Sequence, residues 1–393
     1  MQKRSLVRII PAVALLMLVA ACSSNSSSSS AAKSSTTSPT ASATSAASGI
    51  TQIQIGKLNF DMSKYCGTKP FTLGILDGYG GNTWAVEKRA MLTKLAKSCP
   101  NNTKVLYFDA NGDVQKYIST VNSWAAQGVN LIETFDLFGQ PPVSAFTKAQ
   151  AAGVLIGTGN GIPGDAKVPT DVTAAVVPDF EKQAVQWVSF FTKATNNKGR
   201  IALIGGPAGN LFDRPAIEAI KKAIVDQGSG ITLAVAEPQV GNWDPATTQQ
   251  VMTGLLQKDS HIDGVLLTYT ATGPAILRAY KAAGLPFPAI AGQSSSNELV
   301  CLTESTRKTD PNFQVMSLDG SANLDAIALA KIFAAFQGIA APELGPTDQS
   351  LVVTMATYID TLSGIMPPCD STLPPGADLS TALTVAEIKA AIG

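Results

Sequence analysis

Three glycine-rich segments of this chain combine an adaptable backbone with side chains that suit a small polar solute. Segments 77–84 (DGYGGNTW), 157–161 (GTGNG) and 205–210 (GGPAGN) each follow an apolar run typical of a β-strand. In open α/β sheets, ligands bind beyond the carboxyl ends of the strands, where such segments lie. Aromatic faces such as that of Trp84 pack against the C–H faces of sugars and against planar rings. The pattern therefore favours a binding cleft lined by loops.

Motifs for nucleotide, metal or hydrolytic chemistry are incomplete. Segment 159–164 spells G-x-G-x-x-G, but Pro163 and the residues after it do not begin the helix that a dinucleotide requires. A Ser-His-Asp triad would need the single histidine, His261, but the sequence contains no G-x-S-x-G nucleophile elbow. No cluster of residues has metal-ligand spacing. We therefore expect no enzyme, no cofactor and no metal. Paired carboxylates for glycoside cleavage stay an open alternative, because their separation is spatial.

The N-terminal residues follow the order of an export signal. Basic residues at 3, 4 and 8 precede an apolar run at 9–19, which is too short for a comfortable membrane span. The ending Ala20-Ala21-Cys22 resembles the lipobox of bacterial lipoproteins, in which the cysteine carries the lipid. We predict a signal peptide at 1–21, a lipidated Cys22 and an extracytoplasmic, membrane-anchored protein. An ordinary cleaved signal with an incidental cysteine is the alternative.

Composition divides the rest of the chain into a tether and a folded body. Segment 22–49 is almost entirely serine, alanine and threonine, and it cannot bury enough apolar surface to fold. The body that follows is longer than a usual single domain, so we expect two lobes. The formal net charge is zero and charged residues make up 15% of the chain, which argues against a nucleic-acid partner.

Four cysteines remain after Cys22 is set aside, namely Cys66, Cys99, Cys301 and Cys369. An even number in an exported chain argues for two disulfides, with three pairings possible. Their spacing does not suit zinc.

Apolar runs of strand length alternate with amphipathic helical stretches through most of the body. Strands are predicted at 71–76, 104–108, 130–134, 154–156, 200–204, 231–235, 264–268 and 289–291. Helices are predicted at 83–97, 114–127, 143–152, 180–193, 213–226, 246–257 and 274–283, with a capping box at 384–387 before a last helix. The order predicts an α/β fold with two parallel sheets that carry helices on both faces.

The region 71–354 resembles the type I periplasmic binding proteins of the ribose and galactose kind, which are solute receptors of ABC importers. The resemblance rests on an ordered set of short motifs, namely Asn82-Thr-Trp84, 109–113 with 126–130, 206–209 followed by Arg214, Trp243-Asp244, and 280–284. It implies two Rossmann-like lobes joined by a three-crossing hinge, with the crossings near Val176, Asp319 and Thr354.

The resemblance also implies how the chain divides between the lobes. Lobe one would comprise 50–176 and 320–348, and lobe two would comprise 177–319 and 349–393. Cys66 and Cys99 would then share lobe one, and Cys301 and Cys369 would share lobe two. We expect those two disulfides, because a bridge across the lobes would lock the hinge.

Eight residues are predicted to bind the ligand. Trp84 and Trp243 would face each other across the cleft, Arg214 would bind a carboxylate or vicinal hydroxyls, and Asn82, Tyr269 and Asp319 would add polar contacts. Sugar binders of this family carry Asp-Arg where this chain has Gly159-Asn160, and an aspartate where it has Ser294 or its neighbour Gln293. The ligand would then be less hydroxylated, or Asn160, Ser294 and water would replace the carboxylates.

These observations predict a monomeric solute-binding lipoprotein that captures a small polar ligand, sugar or sugar-like, and delivers it to an ABC transporter permease. Two alternatives remain at this point. One is a sensor that presents the solute to a membrane receptor, and the other is a secreted hydrolase on a similar scaffold.

Overall fold

The computed structural model of the protein describes residues 61–379 and 381–393. The predicted signal 1–21, the lipidated Cys22 and the tether 22–49 lie outside the described residues. Within the described ranges, the structure contains no helix with the length and apolarity that a bilayer span requires.

The body contains thirteen strands and ten α-helices in the described ranges, together with short 3-10 turns. The strands are β1 (Phe71–Asp77), β2 (Asn102–Asp109), β3 (Leu131–Phe135), β4 (Leu155–Gly159), β5 (Ala174–Pro178), β6 (Arg200–Gly205), β7 (Thr232–Leu233), β8 (Gln239–Val240), β9 (Gly264–Leu267), β10 (Ala289–Gln293), β11 (Val315–Asp319), β12 (Leu351–Val353) and β13 (Ala356–Asp360). The helices are α1 (Thr83–Lys97), α2 (Val114–Ala126), α3 (Val143–Ala151), α4 (Phe180–Ala194), α5 (Asp213–Asp226), α6 (Pro245–Lys258), α7 (Gly273–Ala283), α8 (Asn297–Arg307), α9 (Ser321–Gln337) and α10 (Val385–Ile392).

The strands form two separate sheets, which define the two lobes. The sheet of lobe one has the order β12-β5-β4-β3-β1-β2 and is parallel throughout. The sheet of lobe two has the order β13-β11-β10-β9-β6-β7, with β8 also paired to β6. Its last strand, β13, runs antiparallel to β11. The prediction of an α/β fold with two parallel sheets is therefore confirmed, with one antiparallel edge strand added.

Helix starts agree well with the sequence because they depend on local hydrogen bonds. Asn82 accepts a hydrogen bond from the Ala85 amide at the start of α1, and Thr384 forms the predicted capping box with Glu387 at the start of α10.

The predicted strand 231–235 is shorter in the structure, where only β7 forms. The chain then leaves the sheet edge before Pro238, which has no amide to donate, and returns as β8.

The chain passes between the sheets after β5, after β11 and after β12, close to the crossings that the resemblance implied. The strand β12 pairs with β5 in lobe one, whereas the predicted boundary at residue 349 put it in lobe two. The strand β12 thus forms the edge of the first sheet, and the final crossing falls after Val353.

The C-terminal segment also differs from its predicted place, because it returns to lobe one. Residues near 375–377 accept hydrogen bonds from the amides of Asn297 and Glu298 at the start of α8 in lobe two. The next residue, Asp378, donates its amide to Glu87 of α1, and Lys94 of α1 forms an ion pair with Glu387 of α10 at 2.9 Å. The last helix therefore packs on lobe one and makes a fourth connection between the lobes.

Two disulfides fix the ends of these elements. Cys66 is joined to Cys99 and Cys301 is joined to Cys369, which is the pairing that the resemblance implied. The second bridge holds the C-terminal segment against α8 just before the segment crosses to lobe one.

Removal of the second disulfide should destabilise the protein. We expect the double variant Cys301→Ser/Cys369→Ser to lose roughly 3–4 kcal/mol of unfolding free energy, since the bridge closes a long loop in the unfolded chain. Urea unfolding measures this loss, and a reductant should destabilise the native protein more than a variant that lacks both bridges. An unchanged unfolding midpoint in the double variant would contradict the expectation.

A buried carboxyl in α1 should make stability depend on pH. Burial, with the nearby Asp378 carboxyl as the second cause, raises the pKa of Glu87 from 4.5 to about 9. The folded protein then keeps a proton that the unfolded chain releases, so this contribution to stability is complete below pH 4.5 and is lost as the pH rises to about 9.

We therefore expect Glu87→Gln, which keeps the acceptor oxygen but cannot ionise, to gain stability relative to the native protein as the pH rises. Urea unfolding at several pH values across that window tests the slope. Glu181→Gln, at an exposed position of α4, is the matched control. If the free energy of unfolding depends on pH in the same way in both variants, Glu87 is not the titrating group.

Candidate functional site

A pocket lies where the carboxyl ends of strands from the two sheets meet. The space between its walls is about 380 Å³ when the part that is open to solvent is included. Its walls come from loops and strand ends of both lobes, and they consist of Tyr79, Asn82, Trp84, Phe135, Asn160, Phe212, Trp243, Thr268, Tyr269, Gln293, Ser294 and Ser321. The structure thus brings together six of the predicted ligand residues, namely Asn82, Trp84, Asn160, Trp243, Tyr269 and Ser294.

Aromatic rings from both lobes form the apolar walls. In lobe one the rings of Trp84 and Phe135 lie 5.1 Å apart, centroid to centroid. Phe135 also lies 6.1 Å from Trp243 and 6.1 Å from Phe212, which both belong to lobe two. Aromatic pairs at these separations are attractive. Phe135 is therefore a contact between the lobes as well as part of the wall.

The ring N–H groups of both tryptophans are already satisfied by the protein. Trp84 donates its Nε1–H to the Ser321 hydroxyl at 2.9 Å. Trp243 donates its Nε1–H to the Thr268 hydroxyl at 2.9 Å, and that hydroxyl in turn donates to Asp213. These bonds fix the two rings in place and leave their apolar surfaces to the pocket.

Three pocket residues other than glycine have a left-handed backbone, namely Asn160 (φ 65°), Trp243 (φ 51°) and Ser294 (φ 58°). This conformation is uncommon, especially for a bulky residue such as tryptophan, and it tends to cluster at functional sites. Gly206 accommodates the unusual tryptophan, because a Cβ at this position would lie 2.4 Å from the Trp243 ring.

A buried cluster of charges lies behind the wall of lobe one. Lys88 pairs with Asp77, and its Nζ lies 5.5 Å from the ring centroid of Trp84 and 5.4 Å from that of Phe135. Burial alone lowers the pKa of Lys88, but Asp77 and neighbouring carboxylates outweigh it and raise the pKa above its ordinary value. The lysine therefore stays charged and supports the two rings through cation–π attraction.

The same cluster extends to Asn160 through Asp325. The Asn160 amide donates to the Asp325 carboxylate at 2.6 Å and to the Ser321 carbonyl at 2.9 Å. Burial raises the pKa of Asp325 to about 6. The asparagine is thus held from behind, and its orientation in the pocket is set by two acceptors.

Two predicted ligand residues do not reach the pocket. Arg214 lies in the first turn of α5 with an exposed side chain. Its neighbour Asp213 points inward instead and accepts hydrogen bonds from Gly206, Asn210 and Thr268. Adjacent residues of a helix point in different directions, so the inward position of the aspartate turns the arginine outward.

Asp319 is fully buried at the end of β11, and its carboxylate accepts hydrogen bonds from the amide and the hydroxyl of Ser295 and from the Ser317 hydroxyl. These hydrogen bonds hold the Asp319 carboxylate within lobe two, so it does not face the pocket.

Six wall residues were not among the eight predicted ligand residues, namely Tyr79, Phe135, Phe212, Thr268, Gln293 and Ser321. Phe135 and Gln293 are the last residues of strands β3 and β10, so the rule that pointed to the glycine-rich loops also applied to them. Phe212 and Ser321 stand just before α5 and at the start of α9, and no sequence signal marked them. In the described ranges, no group of three or more histidine, cysteine, aspartate or glutamate side chains is arranged to hold a metal ion.

Comparison with known proteins agrees with this architecture. A family profile described as a periplasmic binding protein domain matches residues 74–306. The chain belongs to this family of periplasmic binding proteins. The predicted type I fold is confirmed as well, since its structural relatives have the same two-lobed architecture. No curated protein sequence was found to match the chain.

Several solved structures resemble this periplasmic binding protein. An ABC transporter solute-binding protein from Bacillus halodurans with bound myo-inositol has a TM-score of 0.59 and 16% identity, covering 75% of this chain and 96% of that one. The arabinose-bound component of an ABC transporter from Shewanella has a TM-score of 0.60 and 17% identity over 73% and 90% of the two chains. A protein from Actinobacillus succinogenes with bound D-allose has a TM-score of 0.61 and 19% identity over 75% and 98%.

Proposed function

We propose that this periplasmic binding protein captures a small polar solute, a sugar or sugar-like compound, and delivers it to an ABC importer. The observation that carries the proposal is the pocket itself, in which aromatic and amide side chains of both lobes converge on one volume. The structural relatives named above support the solute class, because they were solved with myo-inositol, arabinofuranose and allose.

Closure of the lobes around the solute is the proposed mechanism. In the structure, Phe135 of lobe one already contacts Trp243 of lobe two, and the Thr83 and Tyr269 hydroxyls lie 3.1 Å apart across the same interface. A solute that touches both walls binds the closed form better than the open one, and it shifts the population by that difference in affinity. The permease would then recognise the closed form.

The composition of the pocket wall supports binding rather than hydrolysis. Glycoside cleavage requires two carboxyl groups that face the scissile bond. Of the described residues that line the pocket, none is an aspartate or a glutamate.

The N-terminal sequence supports a membrane-anchored location for this function. The signal at 1–21 would export the chain, and a lipid on Cys22 would hold it to the membrane through the serine-rich tether. Tethering raises the local concentration of the receptor near its permease. Radiolabelled palmitate incorporation that disappears in Cys22→Ala would test the anchor.

A solute screen tests the proposed function directly. We expect at least one sugar or polyol to raise the melting temperature by mass action, and small-angle scattering to show a more compact particle with that solute present. Neutral sugars, polyols, amino acids and nucleosides should be screened together. Binding confined to amino acids or nucleosides would contradict the sugar assignment.

The two tryptophans should contribute to affinity, and Arg214 should not. We expect Trp84→Ala and Trp243→Ala each to weaken binding of the solute found in the screen by about 1–3 kcal/mol through lost apolar contact. Isothermal titration calorimetry measures this change. Arg214→Ala and Trp124→Phe, in α2 away from the pocket, are the controls, and both should bind like the native protein. A large loss of affinity in Arg214→Ala would show that the arginine contributes to solute binding.

A further inference from the structure

The C-terminal part of the chain forms a strap between the lobes, which comprises residues 369–379 and α10. The strap begins at the second disulfide, which holds Cys369 to α8 of lobe two. The Asn297 side chain, also in α8, bonds to both the amide and the carbonyl of Asp370. At its other end, Glu387 of α10 forms an ion pair with Lys94 of α1 in lobe one. The strap is therefore anchored in both lobes.

A single peptide group in the middle of the strap connects the lobes directly. The Ala377 carbonyl accepts a hydrogen bond from the Asn297 amide of lobe two at 2.9 Å. The next amide along the chain, that of Asp378, donates to the Glu87 carboxyl of lobe one at 2.9 Å. The carbonyl and the amide belong to one planar peptide unit, which cannot lengthen. The separation between the start of α8 and the Glu87 carboxyl is thus fixed by one rigid unit.

Both of these hydrogen bonds are shielded from water. The side chains of Ala377, Asp378 and Glu87 are all buried. A buried amide or carbonyl that loses its partner costs free energy, because nothing replaces the lost bond. If lobe two moved away from α1, at least one of the two bonds would break. Separation of the lobes therefore carries a cost that the three crossings do not impose.

The strap also lies beside the wall of the pocket. Gly376 packs so closely on the start of α1 that a Cβ at this position would lie 2.7 Å from the Thr83 Cγ2. The Thr83 hydroxyl in turn lies 3.1 Å from the hydroxyl of Tyr269, which lines the pocket from lobe two. The strap therefore joins the lobes next to the place where they meet around the pocket.

We propose that the strap limits how far the two lobes separate when no solute is bound. The peptide group between Ala377 and Asp378 is the tie that has to break before the lobes open fully. A tie of this kind keeps a larger fraction of the empty protein near its closed form, which raises the apparent affinity for a solute that the closed form binds. The proposal goes beyond solute capture, because it concerns the empty protein.

Two pairs of variants remove one bond of the tie at a time. Glu87→Leu removes the acceptor for the Asp378 amide, whereas Glu87→Gln keeps an oxygen there. Asn297→Pro removes the amide that donates to Ala377, and proline is well tolerated at the first position of a helix, where Asn297 stands in α8. Asn297→Ala is its matched control, because it keeps the amide and loses the same side-chain bonds.

Pulsed electron paramagnetic resonance on the full-length protein without solute measures the opening. Spin labels at Gln115→Cys in α2 and Gln250→Cys in α6 report it, because these exposed positions lie in helices that follow β2 and β8, far from the crossings in each sheet. We expect Glu87→Leu and Asn297→Pro each to lengthen the mean distance between the labels by more than about 2 Å. Glu87→Gln and Asn297→Ala should keep the native distance.

Two results would overturn the proposal. One is a native label distance in either Glu87→Leu or Asn297→Pro, provided that circular dichroism shows that variant to be folded. The other is an equal lengthening in each variant and its control, which would mean a general loosening of the protein. Because the measurement uses no solute, neither result bears on the proposed function, which the solute screen tests separately.

Discussion

Parallel pairing makes all strands of a sheet end at the same edge, and most of the functional geometry of this protein follows from that constraint. The loops after β1 and β4 lie together because their strands are near neighbours in the parallel sheet of lobe one, and the loop after β6 lies at the same kind of edge in the sheet of lobe two. The corresponding edges of the two sheets face each other across the pocket, so short loops from distant parts of the sequence contribute to one site.

The walls of this site are held from behind by polar groups that the solute does not need to contact. In lobe one, Lys88 and its carboxylate partners support Trp84 and orient Asn160. In lobe two, Asp213 orients Thr268, which fixes Trp243. Charges therefore serve the site indirectly, by fixing the position of neutral groups. This arrangement provides a rigid wall before any solute arrives, which limits the ordering that binding would otherwise require.

The C-terminal segment adds a connection to the three crossings that separate the lobes. It is bonded to α8 by backbone hydrogen bonds and by the Cys301–Cys369 disulfide, and it then reaches α1 through Asp378 and α10. Any opening of the cleft has to accommodate this fourth segment. Its attachment to both lobes gives the closed arrangement contacts that lie outside the pocket.

The sequence by itself determined the alternation of strands and helices, the caps of α1 and α10, and the family, because these depend on local periodicity and on ordered short motifs. It also pointed to the loops that contain Asn82, Trp84 and Asn160, since strand ends can be located from apolar runs, and the ordered motifs pointed to Trp243; all four residues line the pocket. Tertiary structure decided which side chains of those loops face the pocket. Arg214 turns outward because Asp213 finds buried donors, and the Asp319 carboxylate is used by Ser295 and Ser317. The entry of Phe135, Phe212 and Gln293 into the wall, and the return of α10 to lobe one, depend on partners far away in the sequence, and only through-space packing brings such partners together.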